Sequence, residues 1–217
     1  MTRPLSHRRR PEARSGEILD AALAVFSEEG FSAAKMETVA NRAGLSKGAV
    51  YLYFKSKDAI LEALIERSVG ELARNTAQIV EQFAAVDPAD TYRNLLRSMF
   101  TAIANPSINA APRIVFAEAG RNAKLARYYR EHVIDIGKAA IGVLIKAGIA
   151  RGKFRHIDRE VAMRCIAGPA IAQLMLTVVF ALPDDPRLDP TQLADDISDV
   201  VLNGLLITDP SPRENPS

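Results

Sequence analysis

Residues 36–54 read METVANRAGLSKGAVYLYF, and the placing of their small and apolar side chains decides the fold. Val39, Ala40 and Ala43 belong to a short helix from about Met36 to Ala43. Gly44 stops that helix, because glycine reaches positive φ without the Cβ clash that other residues meet. Ser46 stands where a hydroxyl caps the next helix, which runs to about Phe54. Two short helices that cross steeply need a small side chain at their contact, and Ala40 supplies it. Leu45 and Val50 fill the space beneath both. This is the pattern of a helix-turn-helix, whose second helix enters the major groove of DNA.

The surrounding residue types fit that use. Ser46-Lys47-Gly48-Ala49 places a cap, a cation and two small residues at the start of the second helix. A helix start presents N–H groups and a positive dipole end, which suit a phosphate. Gly48 and Ala49 let the backbone approach base edges. Tyr51 and Tyr53 can donate hydroxyls to phosphates or lay a ring on a thymine methyl. Ser56 caps the helix that follows, and the charge of Lys57 can hold the adjacent DNA backbone.

Outward from this element the periodicity is helical, with no convincing alternating strand. Upstream, Leu19, Ala22, Leu23 and Phe26 form a helical stripe ended by Gly30. Before it lies an arm, residues 1–14, in which Arg3, Arg8, Arg9, Arg10 and Arg14 are opposed only by Glu12. Basic blocks of this kind sit on nucleic acid or are simply solvated tails; Arg8, Arg9 and Arg10 are the candidates for minor-groove contact. Downstream, Leu61, Leu64, Ile65 and Leu72 mark a long helix reaching towards Phe83, broken by Asp87-Pro88. Further helices are expected over Tyr92 to Ala104, Pro112 to Ala119, and a long stretch closed by Gly152. Asp158 caps one ending at Pro183, and the last spans Thr191 to Thr208, with Asp184 to Pro190 as a loop. The expectation is an all-α protein of about nine helices. Its parts are the arm 1–14, a three-helix DNA-binding domain 15–60, a helical effector-binding and dimerisation domain 61–208, and a tail 209–217.

The 217 residues, 48% hydrophobic and 25% charged, are ordinary for a soluble globular chain, and a net charge of +2 says little. The lone Cys165 excludes an intrachain disulfide and any multi-cysteine metal site; its apolar setting suggests a buried, inert thiol. No apolar stretch follows the N-terminal arginines, so no secretory signal is expected and the location is cytoplasmic. Cys165 to Leu182 nears the minimum length of a membrane span but contains Gly168-Pro169, and a helix apolar all round also suits burial against a partner subunit. No membrane partner and no cofactor are expected. With three scattered histidines, no phosphate-cradling loop, no nucleophile elbow and no metal-spaced cluster, an enzyme is not expected.

From Gly30 to Leu64 the sequence GFSAAKMETVANRAGLSKGAVYLYFKSKDAILEAL resembles the DNA-binding domain of the TetR (TetR/AcrR) family of regulators. Gly30-Phe31, Val39-Ala40, Ala43-Gly44, Ser46-Lys47-Gly48, Tyr51-Leu52-Tyr53-Phe54 and Ser56-Lys57 carry the match, which extends back to about Ser15. The resemblance implies that Lys47, Gly48, Ala49, Tyr51 and Tyr53 face DNA and that Lys57 contacts phosphate. It also implies that Lys35 and Thr38 touch backbone or bases. Two positions depart from the family pattern. Ala34 stands where a capping Ser or Thr is common, a loss of about 1 kcal/mol unless Ser32 takes over, and Ala49 stands where Thr is common. The stretch IVFAEAGRNAKLARYYREHV is similar to an AefR-like subgroup.

By the same resemblance, residues beyond about Arg67 dimerise and hold a small ligand. A single helix-turn-helix reads one half-site, so a palindromic operator calls for a homodimer. Val161, Cys165, Gly168, Ala172, Leu176 and Val179 form one candidate interface stripe, and Ile197, Val201 and Leu205 another; plain intrachain core is the alternative for many of these. Met99, Phe100, Ile103, Phe116, Tyr128, His132 and Met175 are candidates for lining a pocket, again with ordinary core as the alternative. Glu118 and Arg121, three apart, are expected to pair. The leading reading is a homodimeric repressor released from double-stranded operator DNA by a small, largely apolar ligand. The alternative is a DNA-binding regulator or architectural dimer with no effector.

Overall fold

A computed structural model describes residues 10–180 and 189–205. Among them there is no strand, and counted as continuous helices there are nine. Helix α1 is Arg10–Glu29, α2 Met36–Arg42 and α3 Lys47–Tyr51. Helix α4 runs Lys57–Ile65, widens into a π-helical turn at Glu66–Gly70 and continues as Glu71–Phe83. Helices α5 (Pro88–Ala104) and α6 (Pro106–Glu118) follow. Helix α7 is Ala123–Tyr129, a π-helical turn Arg130–Ile134, and Asp135–Ala150. Helix α8 is Arg159–Val179, with its last turn π-helical, and α9 is Pro190–Leu205.

The punctuation follows side-chain chemistry. Asp87 caps α5 by accepting from the N–H groups of Ala89 and Asp90, both at 3.0 Å, with Pro88 at the first helical position. Asp158 does the same for α8 through Glu160 and Val161. Gly30, Gly44 and Gly152 are the glycines with positive φ, at the ends of α1, α2 and α7. Several bounds differ from expectation. Helix α1 starts at Arg10, inside the stretch read as arm; Arg8, Arg9, the side chain of Arg10 and the tail 209–217 lie outside the described residues. Helix α6 starts at Pro106 rather than near Pro112, which sits buried inside it. Helix α3 stops at Tyr51, leaving Leu52 and Tyr53 in a turn.

The chain packs as two units. One contains the residues up to Leu72 together with Pro106–Ile134; the other contains Ala73–Asn105 and the chain from Asp135 onward. The packing boundary therefore differs from a cut at residue 60. In the first unit, Ile18, Val25 and Phe26 of α1, Val39 of α2, Val50 of α3 and Ile60, Leu61, Leu64 and Ile65 of α4 share a core with Ile114, Val115, Leu125 and Tyr129. Helices α6 and the start of α7 cover apolar surface that three helices and the first turns of α4 leave open. Polar contacts register them: Asn122 caps α7 and donates to Asp58 at 3.2 Å, while Lys124 pairs with Glu62 at 2.9 Å. Glu118 accepts from Ser32 at 2.9 Å, and no pair with Arg121 forms among the described residues. Burial pushes the Tyr129 phenol up to about 12, so it stays neutral.

The second unit is built on Val80, Tyr92, Leu96, Phe100, Leu144, Ile166 and Leu202. Helices α5 and α9 lie side by side, tied by a two-pronged Arg97–Asp195 pair at 2.5 and 2.8 Å and by Arg93–Asp199 at 3.0 Å. The guanidinium of Arg97 holds the Asp195 carboxyl below its ordinary range. Tyr92 is buried, and desolvation raises its phenol well above the ordinary value. Leu205, expected at an interface, is instead core here, and its carbonyl accepts from Arg155 N–H at 2.8 Å. Cys165, expected buried, is exposed. It flanks the stripe of Ala162, Ile166 and Ala170 that is buried in this core, with Met163 and Ala167 packed against the same cluster.

Candidate nucleic-acid interface

The turn between α2 and α3 is closed by backbone geometry. Gly44, at φ 65°, donates to the Asn41 carbonyl at 3.1 Å, and Leu45 donates to the Ala40 carbonyl at 2.9 Å. This is the Schellman arrangement, and it works because glycine occupies the left-handed position. Ala40 and Val50 are fully buried, and Leu45 is half-buried against the same cluster. Ser46 accepts from Ala49 N–H at 3.2 Å and so fixes the start of α3. Helix α2 has no such cap: Lys35 occupies the position without a side-chain hydrogen bond. Ser32 does not replace it, because its hydroxyl is turned to Glu118.

This scaffold brings the expected contact residues to one short segment. Ser46, Lys47 and Gly48 are exposed in sequence, Ala49 is partly so, and Tyr51 and Tyr53 are 44% and 40% exposed. Lys35 is exposed and Thr38 half-buried on the adjoining α2. Two residues were missed by sequence reasoning. Leu52 is 85% exposed, an apolar side chain with no core role, and Lys55 is an exposed cation just beyond α3. Helical periodicity assigned α3 as far as Phe54 and so hid Leu52; its position between two exposed tyrosines was the available signal. Lys35, Lys47 and Lys55 form no ion pair with described residues, whereas Arg42 is held by Glu28. The acid-free lysines leave net positive charge around α3.

Lys57 is engaged within the protein. Its ammonium, expected on a phosphate, donates to the carbonyl oxygens of Phe31 and Ser32 at 2.8 Å each and reaches that of Ala34 at 3.4 Å. It also lies 4.8 Å from the centroid of the Phe31 ring. All three donors are engaged by the loop between α1 and α2, so Lys57 clamps that loop to the start of α4. Replacing it with Met is expected to lower stability by about 2 kcal/mol, the usual value of charge-assisted hydrogen bonds. An unchanged urea midpoint would remove this role.

The pocket candidates are divided between the two units. Phe100 belongs to the core of the second unit, with Met99 packed against that core, and Ile103 is buried on the same helix. Tyr128 and His132 are brought together in the first unit, with rings stacked at 3.9 Å and 12°, and His132 Nδ1 lies 2.9 Å from the Tyr128 carbonyl. Phe116 meets Tyr129 edge-on at 6.2 Å. Met175 is half-buried in α8. Of the interface candidates, Val161, Cys165, Ala172, Leu176 and Val179 are exposed, Gly168, Ile197 and Val201 half-buried, and Leu205 buried.

Comparison with known proteins agrees with this geometry. Residues 18–64 match the model of bacterial regulatory proteins of the tetR family, and residues 87–186 match a tetracyclin repressor-like C-terminal domain. The fatty acid metabolism regulator protein of Bacillus subtilis is 25% identical over 193 residues, covering 87% of this chain and 94% of its own length. The solved FadR from Bacillus subtilis, in complex with stearoyl-CoA, superposes with a TM-score of 0.71 at 19% identity, covering 87% of this chain and 98% of that one. The ketosteroid regulator KstR2 of Mycobacterium tuberculosis gives 0.68 at 25% identity, covering 90% and 96%. With both the helix-turn-helix and the helical body matched, the chain belongs to the TetR family of bacterial regulators and is a DNA-binding regulator of transcription.

Proposed function

We propose that this regulator is a homodimeric repressor that leaves a palindromic operator when a small, largely apolar ligand binds. The observation that carries the DNA half is α3 and the turn after it: a capped helix starting at Lys47, with Gly48 next, and Tyr51 and Tyr53 exposed on a buried scaffold. In this reading Gly48 and Ala49 let the helix approach base edges, Lys47 and Lys35 neutralise phosphates, and Thr38, Tyr51 and Tyr53 fix register or meet thymine methyls. Leu52 and Lys55 join this set, and Lys57 acts by positioning. Arg8, Arg9 and Arg10 are proposed for the adjoining minor groove.

The homodimer is supported by α8 and α9. Helix α8 is the one helix among the described residues long and apolar enough to cross a membrane, yet only 22% of its apolar window is buried. Ile171, Phe180 and, on α9, Val200 are 57%, 66% and 75% exposed. An apolar face of this extent on a regulator that reads two half-sites is best covered by a second copy, forming a four-helix bundle. A cytoplasmic, nucleoid-bound protein follows from its DNA partner. The ligand half is supported by the relatives, one of which is named with bound stearoyl-CoA.

The test is operator release. The operator is selected in vitro from random duplexes, and the labelled complex is titrated with stearoyl-CoA and with a panel of apolar acids and sterols. Release by at least one class is expected, with half-release shifting as the ligand concentration is raised past its Kd. A complex that survives the whole panel favours the effector-free regulator.

A further inference from the structure

The second unit carries an open groove of about 650 Å³ between the last turns of α7 and the start of α8. None of the pocket candidates named from the sequence lines it. Its position is set by a second Schellman turn. Gly152, at φ 64°, donates to the Ile149 carbonyl, and Lys153 donates to that of Gly148 at 2.9 Å. Phe154 then packs on Gly148, where a Cβ would lie 2.1 Å from its ring. Beyond that contact, His156 and Ile157 line the groove together with Val143 and Ile149 of α7.

The walls are apolar, but the charged groups at the groove are all of one sign. Lys146 and Arg159 line it, and no carboxylate does. Neither forms a hydrogen bond or ion pair with a described residue. The acids nearest to Arg159 in sequence are engaged elsewhere: Asp158 caps α8, and Glu160 pairs with Arg164 at 3.1 Å. The Arg159 guanidinium lies across Gly142, with Nη2 3.0 Å from where a Cβ would stand. The groove thus combines a bare glycine floor, apolar walls, an unpaired guanidinium and ammonium, and an imidazole. Its volume falls within the range of about 300–1,000 Å³ typical of ligand sites.

We propose that this groove binds an anionic amphiphile, with an acyl chain along the Val143, Ile149 and Ile157 walls and its carboxylate or phosphate on Arg159 and Lys146. A planar guanidinium binds either head two-pronged. As a binding site the groove stands alone; as the effector site it rests on the ligand-released reading above.

The test uses the full-length protein and isothermal titration with palmitate and palmitoyl-CoA, which separate the two head groups, and with dodecyl maltoside as an uncharged amphiphile. Two variants are compared with the parent. Lys146→Gln/Arg159→Gln removes the cations. Gly142→Leu fills the floor; leucine is the better helix former, and its Cβ meets only the flexible end of Arg159, so the fold is retained. The parent is expected to bind at least one palmitoyl acid, and both variants to bind it about 10- to 100-fold more weakly. Dodecyl maltoside is expected to bind weakly, unaffected by the charge variant. Equal affinity in parent and variants, or no binding of either acid to the parent, overturns the proposal. Operator release, followed in parallel, separates the two readings. Release that persists unchanged in both variants sinks the groove and leaves the ligand-released repressor standing. Groove-dependent binding with an operator complex that survives saturating acid sustains the groove and sinks its effector role.

Discussion

Tyr53→Ala is expected to weaken operator binding about 10²- to 10³-fold while leaving the unfolding midpoint unchanged. A lost phosphate or base contact costs about 1–3 kcal/mol, and a symmetric dimer loses it twice. The fold survives because Tyr53 is 40% exposed in the turn after α3 and contributes nothing to the buried cluster. Anisotropy with the selected operator at one fixed salt concentration reads the change. The contrast with Lys57→Met is the informative part: that variant should lose stability, because its ammonium is engaged by loop carbonyls. If Tyr53→Ala bound operator as tightly as the parent, α3 would be docked differently from the proposed geometry.

Ile171→Asp/Leu176→Asp is expected to yield a monomer by light scattering and to reduce operator affinity at least 10³-fold. In the proposed dimer these side chains lie in a water-free helix bundle, and an unpaired carboxylate there costs several kcal/mol. Separate subunits also forfeit the second half-site, whose contacts a dimer makes at high effective concentration. Both side chains are exposed in the subunit, so each protomer should keep its helical content. A doubly substituted protein that stayed dimeric would place the interface elsewhere.

The local features were legible before any coordinates. Gly44, Ser46 and Ser56 announced the turn and caps of the DNA-binding segment, because left-handed backbone and N-cap hydrogen bonds are properties of single residues and their immediate neighbours. Asp87-Pro88, Gly152 and Asp158 marked later boundaries for the same reason. Pro112 misled: read as a helix start, it lies inside α6, where tertiary burial outweighs one missing hydrogen bond. Glu118 was read against Arg121 by spacing, but a serine 86 residues away holds it.

The sequence by itself determined the all-helical class and the helix-turn-helix, since both rest on short-range periodicity, φ preference and capping. Only the tertiary structure decided that Lys57 is a clamp, that residues 106–134 complete the DNA-binding unit's core, and that Leu205 is buried while Cys165 is exposed. It alone placed an unpaired Arg159 and Lys146 over one apolar groove. These depend on which distant surfaces meet, and a helix's own pattern says that it has an apolar face without saying what will cover it.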